Sequence, residues 1–201
     1  MSQWELSRQL GQLFVEIRSL SPYEGGGGMW QRAFLDMVAI HLHQTRPGGE
    51  PQWLHCARVG LRAAQYAYAH NFSGDRFDAL VSVSLLHDII EDTEITHDDI
   101  ARELNREVAD AVQAVSHIEE EEPDEVYLSR VVAGGELAIL TKRFDRLDNL
   151  ESLAKMPVDF RTKKMTEVQA ALPIWQRIDP EGAVEIEAAL KKLEAGNEPT
   201  S

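Results

Sequence analysis

A chain of 201 residues is long enough for one well-formed core, and 43% hydrophobic with 27% charged residues is the composition of a globular protein. A net charge of −14 argues against a broad nucleic-acid or anionic-membrane surface, because both partners repel an acidic field. The single cysteine, Cys56, has no internal disulfide partner, the N-terminus has no basic region followed by an apolar one, and no apolar run approaches the roughly 20 residues of a membrane span. The expected location is the cytoplasm. A small anionic substrate held by local cations and a metal stays compatible with this charge.

Apolar spacing is helical almost throughout, and no segment reads as a strand. Leu6, Leu10, Leu13, Phe14 and Ile17 form one face of a first helix, over about 3–20, that stops before Pro22. Gly25 to Gly28 read as a connector, since no strand precedes them and no Gly-Lys-Ser/Thr follows. A second helix runs from Trp30 through Phe34 and Val38 to His41. After the Pro- and Gly-rich turn 46–51, a third carries His55, Val59, Ala63 and Tyr66. The spacing predicts a fourth over about Arg76 to Glu91, apolar around most of its circumference and therefore central and buried. Thr96 caps a short helix with Asp99 at the capping-box position, and Val108, Val112 and Val115 mark another.

Glu119 to Glu125 is almost entirely acidic and reads as a solvated loop. The long helix Glu136–Leu153 turns Leu137, Leu140, Phe144, Leu147 and Leu150 inward. Beyond Pro157 come a helix that opens with Arg161, Lys163 and Lys164, and a last one at about 181–194. The tail 196–201 is expected to be disordered. The whole is expected to form a single all-α helical bundle, with its core at about 30–175.

The chemistry concentrates in His87-Asp88-Ile89-Ile90-Glu91-Asp92-Thr93, directly after the apolar run Ala79–Leu86. An imidazole and three carboxylates at the end of a buried helix are costly to desolvate without a strong partner, and a divalent metal is one. His87 and Glu91 are four apart, as are Asp88 and Asp92. Acids at a helix C-terminus oppose its dipole, which favours function over simple termination. Asp145, Arg146, Asp148 and Asn149 make a second cluster, although Asp145-Arg146 alone reads as a surface ion pair. His55 alone reads as a solvated or capping residue, and His97-Asp98, just after the cap Thr96, is a decoy. Together His55, His87, Asp88 and Asp145 supply two nitrogens and two carboxylates, a set suited to Mn, Fe or Zn and to phosphoester hydrolysis.

In combination these segments resemble the HD-superfamily metal-dependent phosphohydrolases, and within them the hydrolase domain of RelA/SpoT-type alarmone enzymes. The resemblance rests on three motifs in order. His41, Gln44, Arg46, Gly49, Glu50, Pro51 and His55 come first; His87, Asp88, Glu91, Asp92 and Thr93 follow; Lys142, Asp145, Arg146, Leu147 and Asn149 close the set.

The resemblance implies an HD-domain bundle with His55, His87, Asp88 and Asp145 on the metal, usually Mn²⁺. It implies Glu91 and Asp92 as the groups that position or deprotonate the attacking water. It assigns Arg46, Lys142, Asn149 and Lys163 to the nucleotide. The implied reaction removes pyrophosphate from the 3′ position of a guanosine or adenosine alarmone. The alternatives are another phosphoester substrate or a non-catalytic nucleotide sensor. No nucleic-acid or membrane partner is implied, and an oligomer is left open.

Four positions depart from the pattern. Gln52 stands where an aromatic is usual, Pro47 where a basic residue is, Cys56 where a proline is, and Asp148 where His or Tyr is. Asp148 is expected to add negative charge to a site meant for polyanions.

Overall fold

The computed structural model describes residues 2–22, 28–117 and 123–195, and among these the regular structure is helical. In chain order the helices are α1 (Gln3–Leu20), α2 (Met29–Ile40), α3 (Gln52–Ala69), α4 (Gly74–Leu86), α5 (Ile89–Asp92) and α6 (His97–Glu103). They continue as α7 (Arg106–Val115), α8 (Asp124–Ala133), α9 (Gly135–Leu153), α10 (Val158–Ile178) and α11 (Pro180–Ala195). The only strand-like feature in this set is an isolated bridge between Thr45 and Pro51, which closes the turn ahead of α3. The all-α expectation holds, and no described helix is long and apolar enough to cross a membrane.

Two apolar clusters make up the interior. The first gathers Ile17, Trp30, Phe34, Met37, Val59, Phe77, Leu80, Leu85, Val112, Leu140 and Phe144, among others, from α1 to α4, α7 and α9. The second joins Val115, Tyr127, Leu128, Leu147, Leu150, Trp175 and Ile186 from α7 to α11. Helix α9 serves both, with Phe144 in the first and Leu147 in the second, so Asp145 leaves the helix between them. Arg143, 1% exposed, ties α9 to α11 by reaching Glu185 at 2.7 Å and Glu181 at 3.3 Å. A guanidinium that deep must be paired, because unpaired it would carry its full desolvation cost.

Helix α3 meets α4 at Gly60, where the buried Leu85 side chain lies so close that a built Cβ would stand 2.5 Å from its Cδ2 and 2.8 Å from its Cγ. Substituting Gly60 by alanine is therefore expected to destabilise the fold despite alanine's better helix propensity. Overpacking costs about 1–3 kcal/mol, whereas the propensity gain is only about 1. Urea unfolding checks it; an unchanged or raised midpoint would contradict the close approach. A second long-range contact sets α2: Met29 N donates to Asp78 Oδ2 at 2.7 Å, so a carboxylate from α4 caps the α2 N-terminus.

Two expectations require correction. The helix expected over about Arg76 to Glu91 does not run through; α4 begins at Gly74 and ends at Leu86, and the four-residue α5 restarts at Ile89. The break frees the backbone at His87 and Asp88, so their side chains can face one point, which consecutive positions on a straight helix do not. The acidic stretch is not a loop as far as Glu125, because α8 begins at Asp124 and buries Tyr127, Leu128 and Val131 against the second cluster. The acidic residues masked that helical spacing. The expectations for Gly25–Gly27, for 119–122 and for the tail 196–201 lie outside the described residues.

Candidate metal centre

His55 does not behave as a solvated helix-start residue. Pro51 opens α3, and Gln52, Trp53, Leu54 and His55 all turn inward, leaving His55 1% exposed. His87, 2% exposed, follows the last residue of α4. The two Nε2 atoms stand 3.1 Å apart. Asp88 oxygens lie 3.1 Å from His87 Nε2 and 3.5 Å from His55 Nε2, and Asp145 Oδ1 lies 3.2 Å from His55 Nε2 and 3.5 Å from that of His87. The structure thus brings together all four residues singled out as metal ligands, from α3, the α4–α5 break and α9.

Hydrogen bonds on the far side of each ring decide what faces the centre. His87 Nδ1 is 2.9 Å from the carbonyl of Ser84, which can only accept, so Nδ1 carries the proton. His55 Nδ1 is 2.7 Å from Asp148 Oδ2, again an acceptor. In their neutral forms both rings therefore aim Nε2 lone pairs at each other across 3.1 Å, ringed by carboxylates. A cation between them turns that repulsion into ligation. The donor set of two imidazoles and two carboxylates fits a divalent transition metal.

The electrostatics agree. Burial alone would depress His87, yet the Asp88 and Asp145 carboxylates push it up to about 10. Burial would raise Asp145, but the Lys142 ammonium and both imidazoles hold it well below the usual carboxylate range. The buried carboxylates of Asp88 and Asp145 thus set the electrostatics of the centre.

Glu91 and Asp92 lie just beyond, on α5. Both remain solvent-accessible, although the surrounding protein removes enough water to raise their pKa values above the usual carboxylate range, with Asp88 adding repulsion. Glu91 Oε2 accepts from the backbone N of His117 at 2.9 Å. The end of α5 is tied to the first motif, because Gln44 Nε2 donates to the Asp92 carbonyl at 3.0 Å. His41, fully buried, contacts Gln44 Oε1 through Nδ1.

Among the residues expected at the nucleotide, Arg46 hydrogen-bonds Asn149 through Nη2, and Asn149 Nδ2 reaches Asp145 Oδ1 at 2.7 Å. Arg46 Nη1 is buried without an acceptor among the described residues. Lys142 points inward: its Nζ is 2.9 Å from Asp145 Oδ2 and 5.0 Å from the centre of the Tyr127 ring. Lys163 is exposed on α10. Arg146 does not form a surface pair with Asp145; its guanidinium lies 5.7 Å from the Trp175 ring. His97 reaches Asp110 at 2.6 Å at the surface, as befits a decoy.

The expectation for Asp148 was wrong in its electrostatics. The residue is 1% exposed, and Arg58 meets it twice, from Nε at 2.7 Å and from Nη2 at 2.8 Å. Burial would raise it, but Arg58 and His55 hold it below the carboxylate range, and its charge is paired with Arg58 behind the site. Arg58 was missed altogether. Its one sequence signal was its place three residues after His55, on the same face of α3. Gln52 is also absorbed internally, with Nε2 2.5 Å from Asp88 Oδ2. Cys56 is fully buried and its thiol is pushed well up by desolvation, the state of an inert packing residue.

The described helices thus gather two imidazoles and two aspartates at one point. No family model matches the chain. Over 154 residues, 72% of its length, it is 31% identical to a guanosine-3′,5′-bis(diphosphate) 3′-pyrophosphohydrolase of Aquifex aeolicus. It is 31% identical over 134 residues, 59% of its length, to a probable enzyme of the same name from Mycoplasma pneumoniae. Over 142 residues, 66% of its length, it is 28% identical to the bifunctional (p)ppGpp synthase/hydrolase SpoT of Escherichia coli. The chain spans about a fifth of the length of these relatives, 21%, 17% and 19% respectively. A solved metazoan ortholog of SpoT shares the fold, with a TM-score of 0.68 and 18% identity over 86% of this chain and 98% of that one. These likenesses agree with the resemblance carried by the three motifs, and the solved structure shows the shared fold.

Proposed function

We propose that the chain hydrolyses the 3′-pyrophosphate of a guanosine or adenosine 3′,5′-bis(diphosphate), releasing pyrophosphate and the nucleoside 5′-diphosphate, with Mn²⁺ as its metal. The observation that carries this reading is the pair of Nε2 atoms 3.1 Å apart, each ring locked by an acceptor behind it and faced by Asp88 and Asp145. The named activity of the relatives supplies the substrate class.

His55, His87, Asp88 and Asp145 would hold the metal, which when bound supplies Lewis acidity to the phosphoryl group and lowers the pKa of water. Glu91 is anchored through Oε2, which leaves Oε1 to receive the proton of the attacking water. Asp92, fixed by Gln44 at its carbonyl, orients that water from the other side of α5. Arg46, with Nη1 to spare, contacts the nucleotide alongside Asn149, while Lys142 offsets the carboxylate charge that a polyphosphate would otherwise meet. Lys163 is reserved for the outer phosphates. Two of the departures that favoured another phosphoester, Gln52 and Asp148, are engaged behind the site and present no new surface to a substrate.

The test is incubation of the purified protein and Mn²⁺ with guanosine and with adenosine 3′,5′-bis(diphosphate). Stoichiometric release of pyrophosphate is expected from at least one. Release of orthophosphate alone, or of nothing from either, rejects the reading.

A further inference from the structure

Behind His55 runs a chain of charge that the ligand set does not require. Glu50, half-buried in the turn before α3, accepts from Arg58 Nη1 at 3.0 Å and from Nη2 at 2.7 Å. The same guanidinium grips Asp148, and Asp148 Oδ2 meets His55 Nδ1. His55 and Arg58 are three apart on α3, and Asp145 and Asp148 are three apart on α9. The two pairs interdigitate, with Asp145 in front of the imidazole and Asp148 behind it.

We infer that Glu50, Arg58 and Asp148 are positioning residues that hold His55 as the Nδ1–H tautomer and so fix Nε2 as the metal-facing atom. The inference rests on the metal-centre reading above and adds what sets the affinity of that centre. Asp148 has both oxygens in use: Oδ1 accepts from Arg58 Nε, while Oδ2 accepts from Arg58 Nη2 and from His55. An uncharged amide offers one acceptor oxygen and one NH₂, so it leaves at least one of these three donors facing a donor, and in either orientation it brings no negative charge to His55. With an NH₂ facing it, His55 would turn its lone pair to Nδ1 and place a proton on Nε2, where it blocks ligation. A carboxylate partner also raises the basicity of a ligating imidazole, and loss of such partners typically weakens metal binding by about 10–100-fold. The resemblance expects His or Tyr at position 148, so this carboxylate is a property of the chain itself.

The experiment has two arms on the full chain. Imidazole ¹⁵N–¹H correlation spectra of the metal-free protein read the tautomer directly and need no variant. His55 Nδ1 is expected to carry a slowly exchanging proton, and an unprotonated Nδ1 would overturn the inference. Mn²⁺ titration of wild type and Asp148→Asn, with circular dichroism as the check on folding, reads the consequence. The variant, which keeps no carboxylate behind His55, is expected to bind Mn²⁺ about 10–100-fold more weakly. Equal affinity in a folded variant overturns the inference while leaving the metal centre standing. A wild type that binds no divalent metal removes both. If Asp148→Asn does not fold, Glu50→Gln replaces it, since it loosens Arg58 at the half-exposed end; weaker Mn²⁺ binding supports the chain and unchanged binding refutes it.

Discussion

The His87→Ala protein is expected to bind no Mn²⁺ in titration and to show no turnover above background. His87 provides one of only two nitrogen donors at the centre, and its Nε2 is within 3.5 Å of His55, Asp88 and Asp145 at once. Without it, one imidazole and two carboxylates are left around a gap, and the Asp88 and Asp145 carboxylates lose a partner they share. The fold is expected to survive. The ring occupies the break between α4 and α5 rather than the middle of either helix, and its loss leaves one buried carbonyl, that of Ser84, without its partner, at about 1–3 kcal/mol. Circular dichroism separates the two effects. A folded variant that still binds Mn²⁺ and turns over would mean that the cluster is a structural knot of charge rather than a metal centre.

Changing Glu91 to glutamine should do the converse: Mn²⁺ binding within about twofold of wild type, with kcat lower by about 10²–10⁴, the usual contribution of a positioned general base. The amide oxygen of glutamine can still accept from the His117 backbone N, so the side chain keeps its place and loses only its ability to take a proton. KM should change little, because the carboxylate makes no contact assigned to the nucleotide. Single-turnover kinetics at saturating Mn²⁺ measures the chemical step directly. Full activity in this variant would hand the proton to Asp92 or to solvent and remove Glu91 from the mechanism.

Most helices could be read from the chain because their signals are local. Leu6, Leu10, Leu13 and Ile17 repeat at helical spacing and form α1, and Thr96 with Asp99 closes the capping box that starts α6. Helix α8 escaped because the acidic residues before it look like a solvated loop, while Tyr127, Leu128 and Val131 declare themselves only by what they pack against. The break at His87 escaped for the opposite reason: the apolar pattern runs on through Ile89, and no proline or glycine marks the interruption.

The candidate site divides along the same line. Residue type, spacing and the order of the three motifs were enough to single out His55, His87, Asp88, Asp145, Glu91 and Asp92. What the amino acids alone determined was therefore an all-helical chain and the set of groups able to hold a metal. Only the tertiary structure decided the pairing of Asp148, the part played by Arg58 and the nitrogen that each histidine presents. The reason is distance along the chain. Asp148 finds His55 across 93 residues and Arg58 across 90, so its charge looks unpaired in sequence and becomes half of a buried ion pair once α3 and α9 pack together.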